Sequence, residues 1–240
     1  MAGLGGASDG LDSVLAEQAR YYRDRAGEYE DWWFRRGRYD RGAEANARWF
    51  AEAAQLEREL QMKVPAGARV LELACGTGLW TAQLSRRARS LTALDASPEM
   101  LAIARAKPCA APVEFVRADI FDWQPERSYE VCFFGFWLSH VPSELMPAFW
   151  EKVGAALVPG GRAYFIDSAR SERSSARDHE LQQPGEELML RRLDDGREYR
   201  VVKHWFDAPD LERMLERIGW RASVAATGEF FIHGIAAPAA

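Results

Sequence analysis

Val70-Leu71-Glu72-Leu73-Ala74-Cys75-Gly76-Thr77-Gly78 is the stretch on which the fold reading turns. A short apolar run stops at a glycine-rich bend, and the segment from Leu79 onward has helical composition. A strand, a tight turn and a helix in that order form a cradle for nucleotides and small anions. Glycine lets the backbone approach the ligand, and the helix start presents N–H groups without internal partners. A dinucleotide site prefers a third glycine in GxGxxG, and Thr81 stands there instead. Glu72 also fits a diphosphate poorly, whereas it suits a ligand carrying a cationic amino-acid portion.

Two further acids extend this pattern. Asp95 follows Gly76 by nineteen residues and closes a second apolar run, Leu91 to Leu94. At the carboxyl edge of an open sheet such an acid accepts hydrogen bonds from ribose hydroxyls. Asp119, in Arg117-Ala118-Asp119-Ile120, closes a third run that starts at Val113. Around these lie predicted helices over 79–89, 97–107 and 143–157 and predicted strands over 129–136 and 162–167. Strands alternating with helices imply crossovers and a parallel sheet covered on both faces. Beyond Asp167 the rhythm breaks into a polar loop and two strand-like runs, 188–193 and 198–206. These flank the turn Asp194-Asp195-Gly196. A helix opened by Asp207-Ala208-Pro209 and stopped by Gly219 precedes two further strands, 220–226 and 229–235, expected to be antiparallel.

Ahead of the cradle, residues 1–10 read as a mobile tail, and 11–62 as a helical lid. Its first part is crowded with aromatics and with Arg20, Arg23, Arg25, Arg35, Arg36, Arg38 and Arg41. Trp49, Ala53, Leu56 and Leu60 share one face of a helix over 44–62. Residues 63–167 then form the core, 168–206 an insertion, and 207–240 the closing helix and strand pair, all within one domain. The 240 residues carry 48% hydrophobic and 28% charged side chains, an ordinary globular balance. A formal net charge of −5 argues against a general nucleic-acid or anionic-membrane binder. Three cysteines without a CxxC pair point away from a disulfide framework, and four histidines without HxH or HxxxH spacing give a metal centre no support. The N-terminus lacks the pattern of a signal peptide, and the most apolar stretch, 131–138, is too short to span a bilayer. A cytoplasmic protein is expected.

Three strand-end acids with a GxG turn resemble the class I S-adenosylmethionine-dependent methyltransferases, over roughly Val70 to Asp167. The resemblance implies an α/β, Rossmann-like sheet of seven strands, mostly parallel with an antiparallel last strand. Helices cover both faces, an N-terminal helical lid precedes the sheet, and a β-hairpin insertion follows the fifth strand. It implies S-adenosylmethionine as cofactor. Glu72, Ala74, Gly76 and Gly78 would form the first motif, with Ala74 where many members have glycine. Asp95 would hold the ribose, Ala96 and Met100 would lie against the adenine, and Asp119 with the Ile120 N–H would read its edge. Phe134, Gly135 and Trp137 would lie beside the methionine portion. From the lid, Tyr22, Trp33 and Arg38 are expected on the cofactor side, and Tyr29 on the acceptor side with Trp137. His140 is the candidate base or acceptor-orienting group, against an even alternative in which it shapes the pocket. His179, His204 and His233 are weaker candidates.

The segment after the fourth predicted strand lacks the (Asn/Asp)-Pro-Pro-(Tyr/Phe) motif that marks amide and adenine methylation in the family. It also lacks an acid for a catechol-type metal site. A small-molecule acceptor is therefore expected, with oxygen first and nitrogen, carbon or sulfur acceptors open. No nucleic-acid or membrane partner is expected, and either a monomer or a homodimer. A non-catalytic cofactor-binding module and an NAD-dependent oxidoreductase are the competing classes.

Overall fold

The computed structural model describes the backbone of residues 5–183 and 185–239, with side chains from residue 10 onward. The chain begins with α1 (Gly5–Asp24), α2 (Tyr29–Trp33) and α3 (Ala43–Lys63). The core follows as β1 (Ala68–Leu73), α4 (Leu79–Leu84), β2 (Ala88–Asp95), α5 (Pro98–Arg105), β3 (Val113–Arg117), β4 (Tyr129–Gly135), α6 (Met146–Ala155) and β5 (Leu157–Ser168). Next come β6 (Leu188–Arg192), β7 (Glu198–Val202), α7 (Ala208–Arg217), β8 (Trp220–Ala226) and β9 (Phe231–Pro238).

Seven strands form one sheet in the order β3-β2-β1-β4-β5-β9-β8. The pairs from β3 through β5 are parallel, and β9 runs antiparallel to both its neighbours. The strand order reverses between β1 and β4, the place where open α/β sheets bind ligands at their carboxyl edge. Each face has its own core. Trp49, Leu56 and Leu60 of α3 pack with Leu84 of α4 on one face. Phe149 and Trp150 of α6 and Leu211 and Leu215 of α7 fill the other.

Several element bounds differ from the sequence reading. The helix expected over 79–89 ends at Leu84, because β2 already starts at Ala88, paired with Ala68. The start of β2 thus carries Arg89 and Ser90 after Ala88, and these interrupt the apolar pattern. β5 starts at Leu157 opposite Tyr129 and passes an irregular register before Arg162. Residues 1–4 of the expected tail lie outside the described residues, and from Gly5 the backbone is already helical. At α5, Ser97 caps by accepting the Met100 N–H at 3.1 Å. Asp207 stands at the α7 N-cap position without a side-chain bond, and Gly219 ends that helix at φ +82°.

β6 and β7 form a separate two-stranded hairpin. Mixed alternation left its buried face undecided from sequence. In the structure Met189, Tyr199 and Val201 face inward and meet Tyr21 of α1, while Leu188 and Leu190 face out. Gln18 of α1 stitches the two together. Its Nε2 donates to the His140 carbonyl at 3.1 Å, and its Oε1 accepts the Val202 N–H at 2.9 Å. Helix and hairpin thus make one cap above the carboxyl edge of the sheet.

Candidate active site

The β1–α4 turn is shaped by backbone that few side chains tolerate. Gly76 and Gly78 have φ of +54° and +80°, and Ala74 has φ +51°. A Cβ on Gly78 would sit 3.0 Å from the Ala104 Cα and Cβ, so this glycine lets the turn close against α5. Asp95, at the end of β2, accepts the Gly76 N–H through Oδ2 and the Ser97 N–H through Oδ1, both at 2.8 Å. One carboxylate therefore fixes two loops. Burial raises its pKa, against the three backbone N–H groups that stabilise its charge.

A cavity of about 400 Å³ opens beside this carboxylate, a size that suits a nucleoside-sized ligand. Gly76, Asp95, Ala96, Met100, Asp119 and Ile120 line it, along with Ala74, Tyr22, Tyr29 and Trp137. Asp119 accepts the Phe121 N–H at 2.8 Å, which orients its carboxylate. Glu72 lies deeper, in a small recess with Ala74, Cys75, Thr77 and Tyr29. It is fully buried and accepts a 2.6 Å hydrogen bond from the Thr81 hydroxyl. Burial pushes its pKa up to about 8, with the Asp95 charge adding to the effect and the Thr81 bond opposing it. The Thr77 hydroxyl in the same recess is buried without a partner among the described residues. A raised carboxyl and an orphaned hydroxyl at the end of a nucleoside-sized cavity suit an amino-acid tail with a cationic amine. The residues present therefore fit S-adenosylmethionine.

Tyr22, Tyr29 and Phe136 also border a second, smaller chamber of about 40 Å³. Arg25, Tyr39, His140, Ser168, Arg191, Lys203 and Trp205 help close it. His140 is held at both ring nitrogens. Nδ1 meets the Val202 carbonyl at 2.6 Å and Nε2 the Tyr22 hydroxyl at 2.8 Å. A carbonyl only accepts, so Nδ1 carries the proton and Tyr22 donates to Nε2. Burial and the Lys203 charge keep the His140 pKa well below the usual histidine value. Lys203 donates to the Ser139 hydroxyl at 2.7 Å and pairs with Asp167 at 3.3 Å.

Three expected site residues lie elsewhere. Phe134 points to the α6 face, where it stacks on Phe165 and meets Trp150, so it does not reach the cavity. Trp33 packs against Trp49, Trp80 and Phe231 in the core. Arg38 is bound outside the cavity, by Glu28, Asp178 and Asp194. Gly135 and Gly78 act through backbone closeness, since a Cβ at Gly135 would lie 2.9 Å from the Trp80 ring. The sequence carries no signal for Lys203 or Gln18 at this site, and it shows Arg25 only as one of seven arginines.

The DhpI-SAM-HEP complex superposes with a TM-score of 0.76, at 36% identity, over 94% of this chain and 98% of that one.

The chain belongs to the S-adenosylmethionine-dependent methyltransferases.

The family model described as a methyltransferase domain matches residues 70–161, the segment from β1 into β5. Among curated proteins, trans-aconitate 2-methyltransferase of Escherichia coli is 39% identical over 104 residues. That match covers 40% of this chain and 40% of the relative. The Burkholderia thailandensis 1,6-didemethyltoxoflavin-N1-methyltransferase shares the fold, with a TM-score of 0.60 at 18% identity over 100% of this chain and 93% of that one. As in the methyltransferase family at large, the cofactor is S-adenosylmethionine, and the acceptor differs from relative to relative.

Proposed function

We propose that this methyltransferase transfers a methyl group to an oxygen, hydroxyl or carboxylate, of a small molecule. When bound, S-adenosylmethionine supplies an electrophilic methyl group on a sulfonium. The protein's task is then to align the acceptor and exclude water. Asp95 would hold the ribose, Asp119 and the Ile120 N–H the adenine edge, and Glu72 with Thr77 the amino-acid tail. The α1–hairpin cap would seal the acceptor side.

One observation carries the choice of oxygen. The chamber that adjoins the cofactor cavity is lined by hydroxyls and cations, and among the described residues no Asp or Glu lines it. An ammonium acceptor finds nothing there to attract it or remove its proton. The name of trans-aconitate 2-methyltransferase, which refers to an acid, is in keeping with this reading. The toxoflavin relative acts on nitrogen by its name, which keeps an N-acceptor as the second reading.

The test is methyl transfer from labelled S-adenosylmethionine to a panel of small acids, alcohols and amines, with products identified by mass spectrometry. The reading predicts esters or ethers. Methylated amines as the main products would replace it with the second reading.

A further inference from the structure

The inner chamber holds more positive charge than the protein around it neutralises. Arg25 is 8% exposed and has no carboxylate within ion-pair distance among the described residues. Its Nη2 donates to the Tyr39 hydroxyl at 3.2 Å, while its buried Nε has no partner. The rings of Tyr21, Tyr29 and Tyr39 surround the guanidinium at 4.9 to 5.9 Å. Arg191, on the hairpin, reaches His179 Nδ1 at 3.0 Å and has no acidic partner either. Lys203 is offset by Asp167. Two arginines, Arg25 buried and Arg191 half-buried, thus share the chamber without an acidic partner among the described residues. A buried cation left unpaired is costly, so such an arrangement is expected where a ligand completes it.

The same chamber offers no free base. Both nitrogens of His140 are engaged, and its neighbours disfavour a positive charge on the ring. An alcohol acceptor would have to pass its proton through Tyr22 to His140, placing a further positive charge beside Arg25, Arg191 and Lys203.

Resting on the methyl-transfer reading above, we infer that the acceptor is a small acid whose ionised oxygen is itself the nucleophile, held by Arg25 and Arg191. The oxygen attacks the donor's methyl carbon. The carbon–oxygen bond forms as the carbon–sulfur bond breaks, and the bonding pair leaves with sulfur, which becomes a neutral thioether. No proton is lost by the acceptor, and its negative charge falls by one. The ester is then held less tightly by the same two arginines, which favours its release. In this account His140 is a positioning residue that fixes Tyr22 and the cap. The chamber of about 40 Å³ suits the charged group of the acid, and the adjoining cavity has room for the rest of it. A carboxylate and a phosphorus oxyanion satisfy this chemistry alike.

The experiment titrates the protein saturated with S-adenosylhomocysteine with succinate, with methylphosphonate, and with neutral 1,4-butanediol. At least one acid is expected to bind about tenfold or more tightly than the diol, and which acid does so names the oxyanion. Arg25→Gln and Arg191→Gln are each expected to weaken that acid about tenfold, the scale of one charge-assisted hydrogen bond. S-Adenosylhomocysteine affinity stays within about twofold. Arg191 is the more accessible of the two and keeps the test open if Arg25→Gln does not fold. Equal binding of the diol, or no binding of either acid, overturns the inference. So does a parallel loss of S-adenosylhomocysteine affinity in both variants, which would assign the arginines to the donor's own carboxylate. Failure of the wild type to bind S-adenosylhomocysteine would instead overturn the methyltransferase reading itself.

Discussion

Glu72 shows how a single residue trades stability for binding. Its carboxyl is raised from 4.5 to about 8 by burial, so the folded protein favours the neutral form. Stability from this residue is complete below the unfolded value and is lost as pH rises from there through about 8. Glu72→Gln removes that loss. The variant without ligand is expected to be more stable than wild type at pH 8, by on the order of 2 kcal/mol in denaturant unfolding. Its affinity for S-adenosylhomocysteine should fall about tenfold or more. An unchanged stability at pH 8 would show that the folded carboxyl ionises as readily as the unfolded one, so that burial does not raise it. A cationic amine bound beside Glu72 must also ionise it. Calorimetry in two buffers of different ionisation enthalpy near pH 7 should therefore report proton release on binding, and buffer-independent heats would contradict the assignment. Residues of this kind were the most legible in the sequence. Glu72, Asp95 and Asp119 each break an apolar run at a strand end, where a charge needs a reason. Phe134 was not legible, because Val131, Cys132, Phe133 and Phe134 are all fully buried. With apolar neighbours on both faces of β4, alternation has no phase from which to tell the ligand side.

At the scale of elements, the β1–α4 turn and the cap make separate demands. Gly78 combines a left-handed backbone with close approach to Ala104. Gly78→Ala is expected to destabilise the protein by about 2 kcal/mol, through backbone strain and displacement of α5. It should weaken S-adenosylhomocysteine in parallel. Normal stability in this variant would mean that the turn relaxes freely. The cap depends on Gln18, which bridges His140 and Val202. Gln18→Ala should raise hydrogen exchange in α1 and β7 while leaving β1 and β4 protected, since only the cap loses contacts. Uniform exchange across the protein would show that the cap and sheet open together. The sequence announced the hairpin through Asp194-Asp195-Gly196 but not its inward face. Two leucines face solvent and a tyrosine is buried, which inverts the usual contrast.

At the scale of the whole molecule, an overall charge of −5 encloses a positively charged chamber. Composition reports only the sum, so it cannot reveal this interior sign. The chamber is assembled from α1 and the segment running into α2, the 3₁₀ turn Leu138–His140, the end of β5 and the hairpin. Lys203 and Asp167 stand 36 residues apart, and Arg25 is separated from Arg191 by most of the chain. No local spacing carries such a constellation. The parallel core was readable because every strand ends near its own signal, whereas the acceptor chamber exists only after the cap closes on the sheet.

All of these scales meet at Asp95, which braces the glycine turn and faces the nucleoside cavity. Isothermal titration of S-adenosylhomocysteine into wild type and Asp95→Asn tests the account most directly. It predicts binding to the wild type and a loss of about tenfold or more in the folded variant, because one of the two carboxylate oxygens is replaced by a donor. Equal affinity in the two proteins, or no binding to the wild type, would contradict it.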